Sequence, residues 1–229
     1  MRPLGKVKIE WSPELAYVIG LLVTDGGLSS DSRHISFTSK DLELIDNFQK
    51  GLGIKLRIGK KANSSHGDKK YYVVQIGDVI FYRFLLDIGL MPRKTKIIGA
   101  VKIPEEYLVD FLRGHMDGDG TFYSYLDSRW KSSFVFYSVF VSASKEHIYW
   151  LREKIFDKIG VKGHINMSTG HSVYQLKYAK KESLKLFSEL YYDNNVICLT
   201  RKRLKMEKAF ELNEKYSNAR VAKLVDAPP

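Results

Sequence analysis

"YLVDFLRGHMDGDGTFYSYL", residues 107–126, opens as an apolar helical run and ends in two carboxylates and two glycines within four residues. Leu108, Val109, Phe111, Leu112 and Met116 supply the apolar side chains, and Asp117-Gly118-Asp119-Gly120 follows. Glycine inside a helix costs about 1 kcal/mol relative to alanine, and neighbouring carboxylates repel. Gly114, Gly118 and Gly120 beside Asp117 and Asp119 therefore need a reason outside this helix.

A second copy supplies it. Residues 12–27 read "SPELAYVIGLLVTDGG" and residues 103–120 read "IPEEYLVDFLRGHMDGDG". Each has a proline followed by glutamate, which suits a first helical turn. Each continues through an apolar run to a glycine, then an aspartate five residues on, then another glycine: Gly20, Asp25 and Gly26 in the first, Gly114, Asp119 and Gly120 in the second. The separation, 119 − 25 = 94 residues, is about one small domain.

The flanks repeat too. "HISFTSK" and then the amphipathic "DLELIDNFQKGLGI" follow the first copy; "TFYSYL", "SSFVFYSVFVSASK" and the amphipathic "EHIYWLREKIFDKIGV" follow the second. Two strand-like runs come next, "IKLRIGKK" and "YYVVQIG" or "VKGHINMS" and "VYQLKYA", and a helix closes each unit. The pattern predicts an α+β protein of two pseudosymmetric α-β-β-α-β-β-α halves with antiparallel sheets, plus a last helix from about Arg201 to Lys215. Residues 1–90 would form one half and 104–216 the other, joined by 91–103, with 217–229 a disordered tail.

The strands alternate between a greasy and a polar face. Ile35 and Phe37 oppose His34, Ser36 and Thr38, while Ile54, Leu56 and Ile58 oppose Lys55 and Arg57. Ile165 and Met167 oppose Lys162, His164 and Asn166, while Leu176 and Tyr178 oppose Gln175 and Lys177; Gln75 lies in "YYVVQIG". One face can pack on helices. The other carries side chains long enough to reach base edges in a major groove.

Small residues allow helices to approach closely, so Gly20 and Gly114 are expected at a seam between the two matching helices. Their ends would then bring Asp25 and Asp119 together, a repulsive pair that a divalent cation relieves; hard oxygen ligands suit magnesium. Such metal-bound carboxylates beside a phosphate are an apparatus for phosphodiester hydrolysis. Lys+Arg at 37 against Asp+Glu at 26 gives +11. The excess is shared, 17 − 10 = +7 before Pro104 and 20 − 16 = +4 from it onward. A polyanion, nucleic acid first, is the natural partner. No apolar stretch reaches membrane-span length, no basic amphipathic helix stands apart to serve a membrane surface, and the N-terminus lacks a signal-peptide core. The lone Cys198 excludes an internal disulfide or a Cys-rich zinc site. An EF-hand beginning at Asp117 would need glycine where Phe122 stands and glutamate where Ser128 stands. The six histidines show no zinc-hydrolase spacing.

"VIGLLVTDG" (18–26) and "LRGHMDGDG" (112–120) resemble the two motifs of single-chain LAGLIDADG homing endonucleases, and "GLMPRKTK" and "LYYDNNVICLTRKR" resemble that family's flanks. The resemblance implies a monomeric, intron-encoded enzyme whose two sheets form a saddle on double-stranded DNA. It implies Asp25 and Asp119 as catalytic metal ligands, with the carbonyls of Thr24 and Gly118 contributing. Magnesium is the implied cofactor, with manganese implied as a substitute and calcium as an ion that binds without supporting cleavage. By position, Lys180 matches a basic residue near the scissile phosphate, and Ser39-Lys40 and Ser144-Lys145 fall where pocket residues hold water. Val23 departs from the motif where the second copy keeps Asp117, so Asp117 is expected to matter less than Asp119. The alternative is a binder of the same fold, an RNA maturase on intron RNA or a DNA-binding regulator. The expected location is the cytoplasm or nucleoid of a prokaryote, or an organelle that encodes it, without secretion.

Overall fold

The computed structural model describes residues 5–62, 70–127, 134–167 and 173–225. Ser12 starts the first element: its hydroxyl accepts the Leu15 N–H at 3.1 Å, and Pro13 needs no amide partner there. Helix α1 (Pro13–Asp25) runs into strands β1 (Gly26–Leu28) and β2 (His34–Ser39), helix α2 (Leu42–Leu52), strands β3 (Gly59–Ala62) and β4 (Lys70–Gly77), and helix α3 (Val79–Asp87). After two short 3-10 turns the order repeats as α4 (Leu108–Gly118), β5 (Thr121–Leu126), β6 (Phe134–Ser142), α5 (Lys145–Ile159), β7 (His164–Met167), β8 (Tyr174–Ala179) and α6 (Lys180–Leu190). Helix α7 (Thr200–Val225) follows. The two antiparallel sheets have equivalent orders, β1-β2-β4-β3 and β5-β6-β8-β7. The α+β fold of two repeated halves is the one the sequence pattern predicts.

Strand alternation holds where both strands are long. Ile35 and Phe37 are fully buried, whereas His34, Ser36 and Thr38 on the same strand are half-exposed. Ser36 lies opposite Gln75, and Lys177 opposite His164, so the polar residues of neighbouring strands share the outer face.

Two strands start later than their periodicity suggests, which removes three residues from that face. The Leu56 N–H goes to Gln49 Oε1 at 2.6 Å instead of joining the sheet, and β3 begins only at Gly59. Lys55 and Arg57 therefore precede the strand, and Lys55 lines a groove with α2 on the helical side. The β3 register puts Gly59 and Lys61 opposite Val73 and Tyr71 instead. Lys162 likewise precedes β7. Glu182 takes the N–H groups of Lys162 and Gly163 at 3.0 and 3.1 Å, and Gly163 turns with φ +60°. Helix α7 also runs beyond Lys215, to Val225, so the backbone departs from the tail expected after Ser217. No helix-breaking residue occurs there before Pro228, and residues 226–229 lie outside the described residues. Among the described residues no helix is long and apolar enough to cross a membrane.

Helices α1 and α4 form the seam between the halves. A Cβ at Gly20 would strike the Phe111 carbonyl oxygen, and one at Gly114 would strike the Tyr17 carbonyl oxygen. Only hydrogen fits at either point. A hydrogen bond crosses the seam: the Tyr17 hydroxyl donates to Asp117 Oδ2 at 2.8 Å. The residues 94 positions away from this pair in the repeat are Phe111 and Val23, both buried and apolar. Val23 thus stands where the second half has a carboxylate because its counterpart partner, Phe111, has no hydroxyl to donate.

Replacing Gly114 by alanine should destabilise the protein by roughly 3 kcal/mol or more, since backbone cannot yield as a side chain can. Gly99→Ala, whose added carbon meets only the movable Glu146 side chain, should be near neutral. Urea unfolding midpoints test this; equal midpoints for the two variants would contradict a backbone-tight seam.

Candidate active site

Asp25 is the last residue of α1 and Asp119 caps the C-terminus of α4. A Cβ at Gly118 would collide with the Thr24 side chain and lie 3.1 Å from Asp25 Oδ2, so the carboxylate of the first half sits directly against the motif backbone of the second. Thr24 and Gly118 are themselves repeat equivalents, 118 − 24 = 94, and glycine is what leaves room for the threonine. Burial, then the neighbouring charge of Asp119, pushes the Asp25 carboxyl up to about 6, against the pull of Lys202 and Lys94. Asp119 is also raised, by burial, with the same two lysines opposing; its residue surface remains open to solvent. Both carboxylates also sit at helix C-termini, where the partial charge is negative.

Lys94 and Lys202 make this arrangement tolerable. The Lys94 ammonium donates to the Gly26 carbonyl. The Lys202 ammonium lies 2.7 Å from the Met116 and Asp117 carbonyls, 3.0 Å from that of Gly118 and 2.6 Å from that of Gly120. Gly26 and Gly120 are repeat equivalents, so each half sends one lysine back to the carbonyl just after its own acid. Burial lowers each amine to about 8, with Asp25 and Asp119 pulling the other way. Sequence reasoning missed these functional residues. Their signal was an Arg-Lys pair after each closing helix, Arg93-Lys94 and Arg201-Lys202, inside the two flanks already quoted, which a strongly basic chain does not make conspicuous.

The structure does not bring Lys180 to the acids. It opens α6, and its amine points to the Phe134 carbonyl at 3.4 Å. Phe134 pairs with Leu126 at one end of the β5–β6 ladder, while Thr121, next to the acidic turn, pairs with Val139 five residues along β6. That spacing is about 16 Å at roughly 3.3 Å per residue. The helix start takes the lysine away from the site that its position in the sequence suggested. Ser39 and Ser144 are helix-start residues: Ser39 accepts the Asp41 N–H, and Ser144 accepts the His147 N–H and donates to the Ile98 carbonyl. Lys40 and Lys145 lie over the rings of Tyr71 and Tyr149.

Asp117 is buried, accepts from Tyr17 and from the Leu199 N–H at 2.7 Å, and is raised to about 6 chiefly by burial. It ties α4 to α1 and to the segment that delivers Lys202. Thr24 donates its hydroxyl back to the Leu21 carbonyl at 2.9 Å. Beside Asp119 a cavity of about 40 Å³ is lined by Thr24, Thr95, His115 and Ser142, room for one ordered water.

Two partly desolvated carboxylates, the charge of one raising the proton affinity of the other at Asp25, fit a hard divalent cation. Among the described residues no cluster of three or more His, Cys, Asp or Glu side chains exists to hold a metal. Asp25 and Asp119 would therefore be its only side-chain anions, with carbonyl, water or phosphate oxygens completing the shell. Of the two motif carbonyls, that of Gly118 already accepts from Lys202.

Comparison with known proteins agrees with this architecture. Residues 12–89 match the family model of the LAGLIDADG-like domain. Over nearly the whole chain the fold is that of LAGLIDADG homing endonucleases. The I-LtrWI LAGLIDADG homing endonuclease bound to target DNA is 12% identical, with 93% of this chain and 96% of that one covered at a TM-score of 0.57. I-DmoI in complex with DNA and Ca is 16% identical, with 80% and 91% covered at 0.51. Full-length DUF199/WhiA from Thermatoga maritima is 15% identical, with 95% and 69% covered at 0.55. A search of curated proteins finds no match. The fold is thus shared by proteins named as nucleases and by one that is not.

The raised Asp25 carboxyl has a measurable consequence. Its unfolded-state value, 3.8, lies below its folded value of about 6, so the folded state binds more protons between them and this group's contribution falls as pH rises through that window. Asp25→Asn removes the decline. In metal-free buffer the variant's gain in melting temperature over the parent should grow between about pH 4 and about pH 6 and then level off. Saturating magnesium should shrink that gain by stabilising the parent alone. A gain independent of both pH and magnesium would contradict a carboxyl held above its ordinary value by burial and Asp119.

Proposed function

We propose that this protein is a site-specific DNA endonuclease that makes a double-strand break in a long duplex site by magnesium-dependent phosphodiester hydrolysis. The observation that carries this reading is the meeting of two carboxylates, one from each half, at solvent-open helix ends between two sheets with polar outer faces. A net charge of +11 suits a polyanionic substrate, and the likeness to structures described as bound to target DNA points the same way. The halves 1–90 and 104–216, joined by 91–103, would each cover one half-site, with the chain acting as a monomer. Intron homing is the biological setting that this family likeness suggests.

Asp25 and Asp119 would hold the cation. A bound magnesium ion supplies positive charge to a phosphoryl oxygen and to the attacking water. Lys94 and Lys202 keep the two helix ends from repelling the acids and fix the backbone on which the acids stand. His34, Ser36, Thr38, Gln75, His164, Asn166, Gln175 and Lys177 on the outer faces hold phosphates and read bases. A non-cleaving nucleic-acid binder is the second reading, favoured by the shared fold of DUF199/WhiA. A pure binder has no use for two facing carboxylates, each costly to bury.

Asp25→Asn and Asp119→Asn should each abolish double-strand cleavage and leave metal-free duplex affinity equal or slightly tighter, because a negative charge facing phosphate is removed. Plasmid cleavage and gel-shift titration measure the two effects; cleavage surviving in either variant would reject the assigned roles, and a parent that binds but never cuts favours the second reading. Duplex affinity should also fall steeply with salt, by about 0.9 log units per log unit of salt for each phosphate neutralised. A nearly flat dependence would argue against a duplex spanning both sheets.

A further inference from the structure

The two outer sheet faces are not chemically alike. On the first sheet the register aligns Ser36 with Gln75 and Gly27, and Thr38 with Val73. The result is short hydrogen-bonding side chains between glycines. Its one aromatic residue there, Tyr71, lies beneath Lys40. On the second sheet Tyr123 lies opposite Tyr137, and Tyr125 opposite Val135. The Tyr123 ring stacks on Tyr137 with centroids 5.3 Å apart at 29°, and on Tyr125 at 6.5 Å and 8°. These rings point away from the core, since Phe122 and Phe136, which immediately precede Tyr123 and Tyr137, are buried and Tyr125 is 46% exposed. They line a concavity of about 400 Å³ together with His164, Asn166 and Lys177. Three stacked rings exposed to water would be an odd choice for a solvated face. They adjoin residues that face the same way and carry the hydrogen-bonding groups of that sheet.

Resting on the DNA-binding reading above, we propose that Tyr123, Tyr125 and Tyr137 are specificity-determining residues that contact thymine C5-methyl groups in the half-site under the second sheet. The major groove offers hydrogen-bond donors and acceptors at every base pair, but its only apolar group is the thymine methyl. A row of ring faces gains affinity there by desolvating methyls. The adjoining His164, Asn166 and Lys177 would read the neighbouring polar edges. The first sheet, with Ser36, Thr38 and Gln75, has no comparable apolar surface and would read its half-site by hydrogen bonds.

The test uses the full chain without divalent metal, so that binding is seen without cleavage. A bound duplex is first selected from a randomised pool. Thymines of the selected site are then replaced one at a time by deoxyuridine, which lacks only the methyl, and by 5-iododeoxyuridine, which photocrosslinks to residues at that position. Thymines that crosslink to the three tyrosines should lose roughly fourfold in affinity per methyl removed, and thymines elsewhere should lose little. Tyr137→Phe should keep the methyl preference, because the ring and not the hydroxyl carries it; Tyr123→Ala should reduce it. Selective binding indifferent to the methyl, or a Tyr137→Phe variant that loses affinity while deoxyuridine has no effect, overturns this inference alone. A chain that selects no duplex overturns the nuclease reading as well.

Discussion

The contact between the α1 and α4 backbones governs the rest of the structure. Gly20 and Gly114 let two helices touch carbonyl to Cα, and because both helices belong to a repeat, their equivalent ends arrive together. Those ends bring negative charge from two sources, carboxylates and unsatisfied carbonyls. A side chain at either glycine would separate the helices and relieve the electrostatics, but it would also separate the acids. The proposed chemistry depends on holding the unfavourable arrangement.

Lysines placed by the closing segments of each half offset it. An ammonium has three donors, and at Lys202 they are spread over the carbonyls that end α4. Such a cation is only useful if its own position is over-determined. Asp117 accepts the Leu199 N–H, three residues before Lys202, and Arg113 donates to the Leu190 and Ile197 carbonyls at 2.9 and 2.8 Å and to Asp110 at 2.6 Å. Arg113 is almost fully buried, and this set of partners is what makes a buried guanidinium acceptable. The segment between α6 and α7 is therefore clamped to α4 before it delivers its lysine. Asp117 belongs to the scaffold of the site, two residues before Asp119.

Much of this was legible in the amino-acid order because duplication prints the same signal twice. The helix pair and the paired acids follow from comparing residues 12–27 with 103–120, and the element order from comparing the flanks that follow each copy. What was not legible has identifiable causes. Lys55, Arg57 and Lys162 fit a period-two pattern, yet side chains from other elements, Gln49 and Glu182, take the backbone donors that a longer strand would need. Periodicity reports which residues can face one way; it does not report where the ladder stops. Lys180 shows the same limit at a strand-to-helix junction, where a single residue decides which way the side chain leaves. Lys94 and Lys202 were hidden for the opposite reason: their partners are backbone carbonyls, which carry no sequence signature.

The repeat is most informative where it fails. Tyr17 and Asp117 form a hydrogen bond across the seam, whereas their equivalents Phe111 and Val23 are both apolar. Thr24 packs over Gly118, and the reverse pairing is impossible within one chain because each position holds a single residue type. Such complementary differences require two unlike halves, which one polypeptide supplies, since a symmetric dimer of either half would place Asp117 opposite Phe111 or Thr24 opposite Thr24. The same freedom extends to the outer faces, one rich in small polar residues and the other in tyrosine. A duplex matched to both faces would have no two-fold symmetry, while the carboxylates between them remain equivalent. The halves thus differ in their seam partners, their outer faces and the reach of their lysines, Lys94 on one carbonyl and Lys202 on four, while the two acids keep equivalent positions in the repeat.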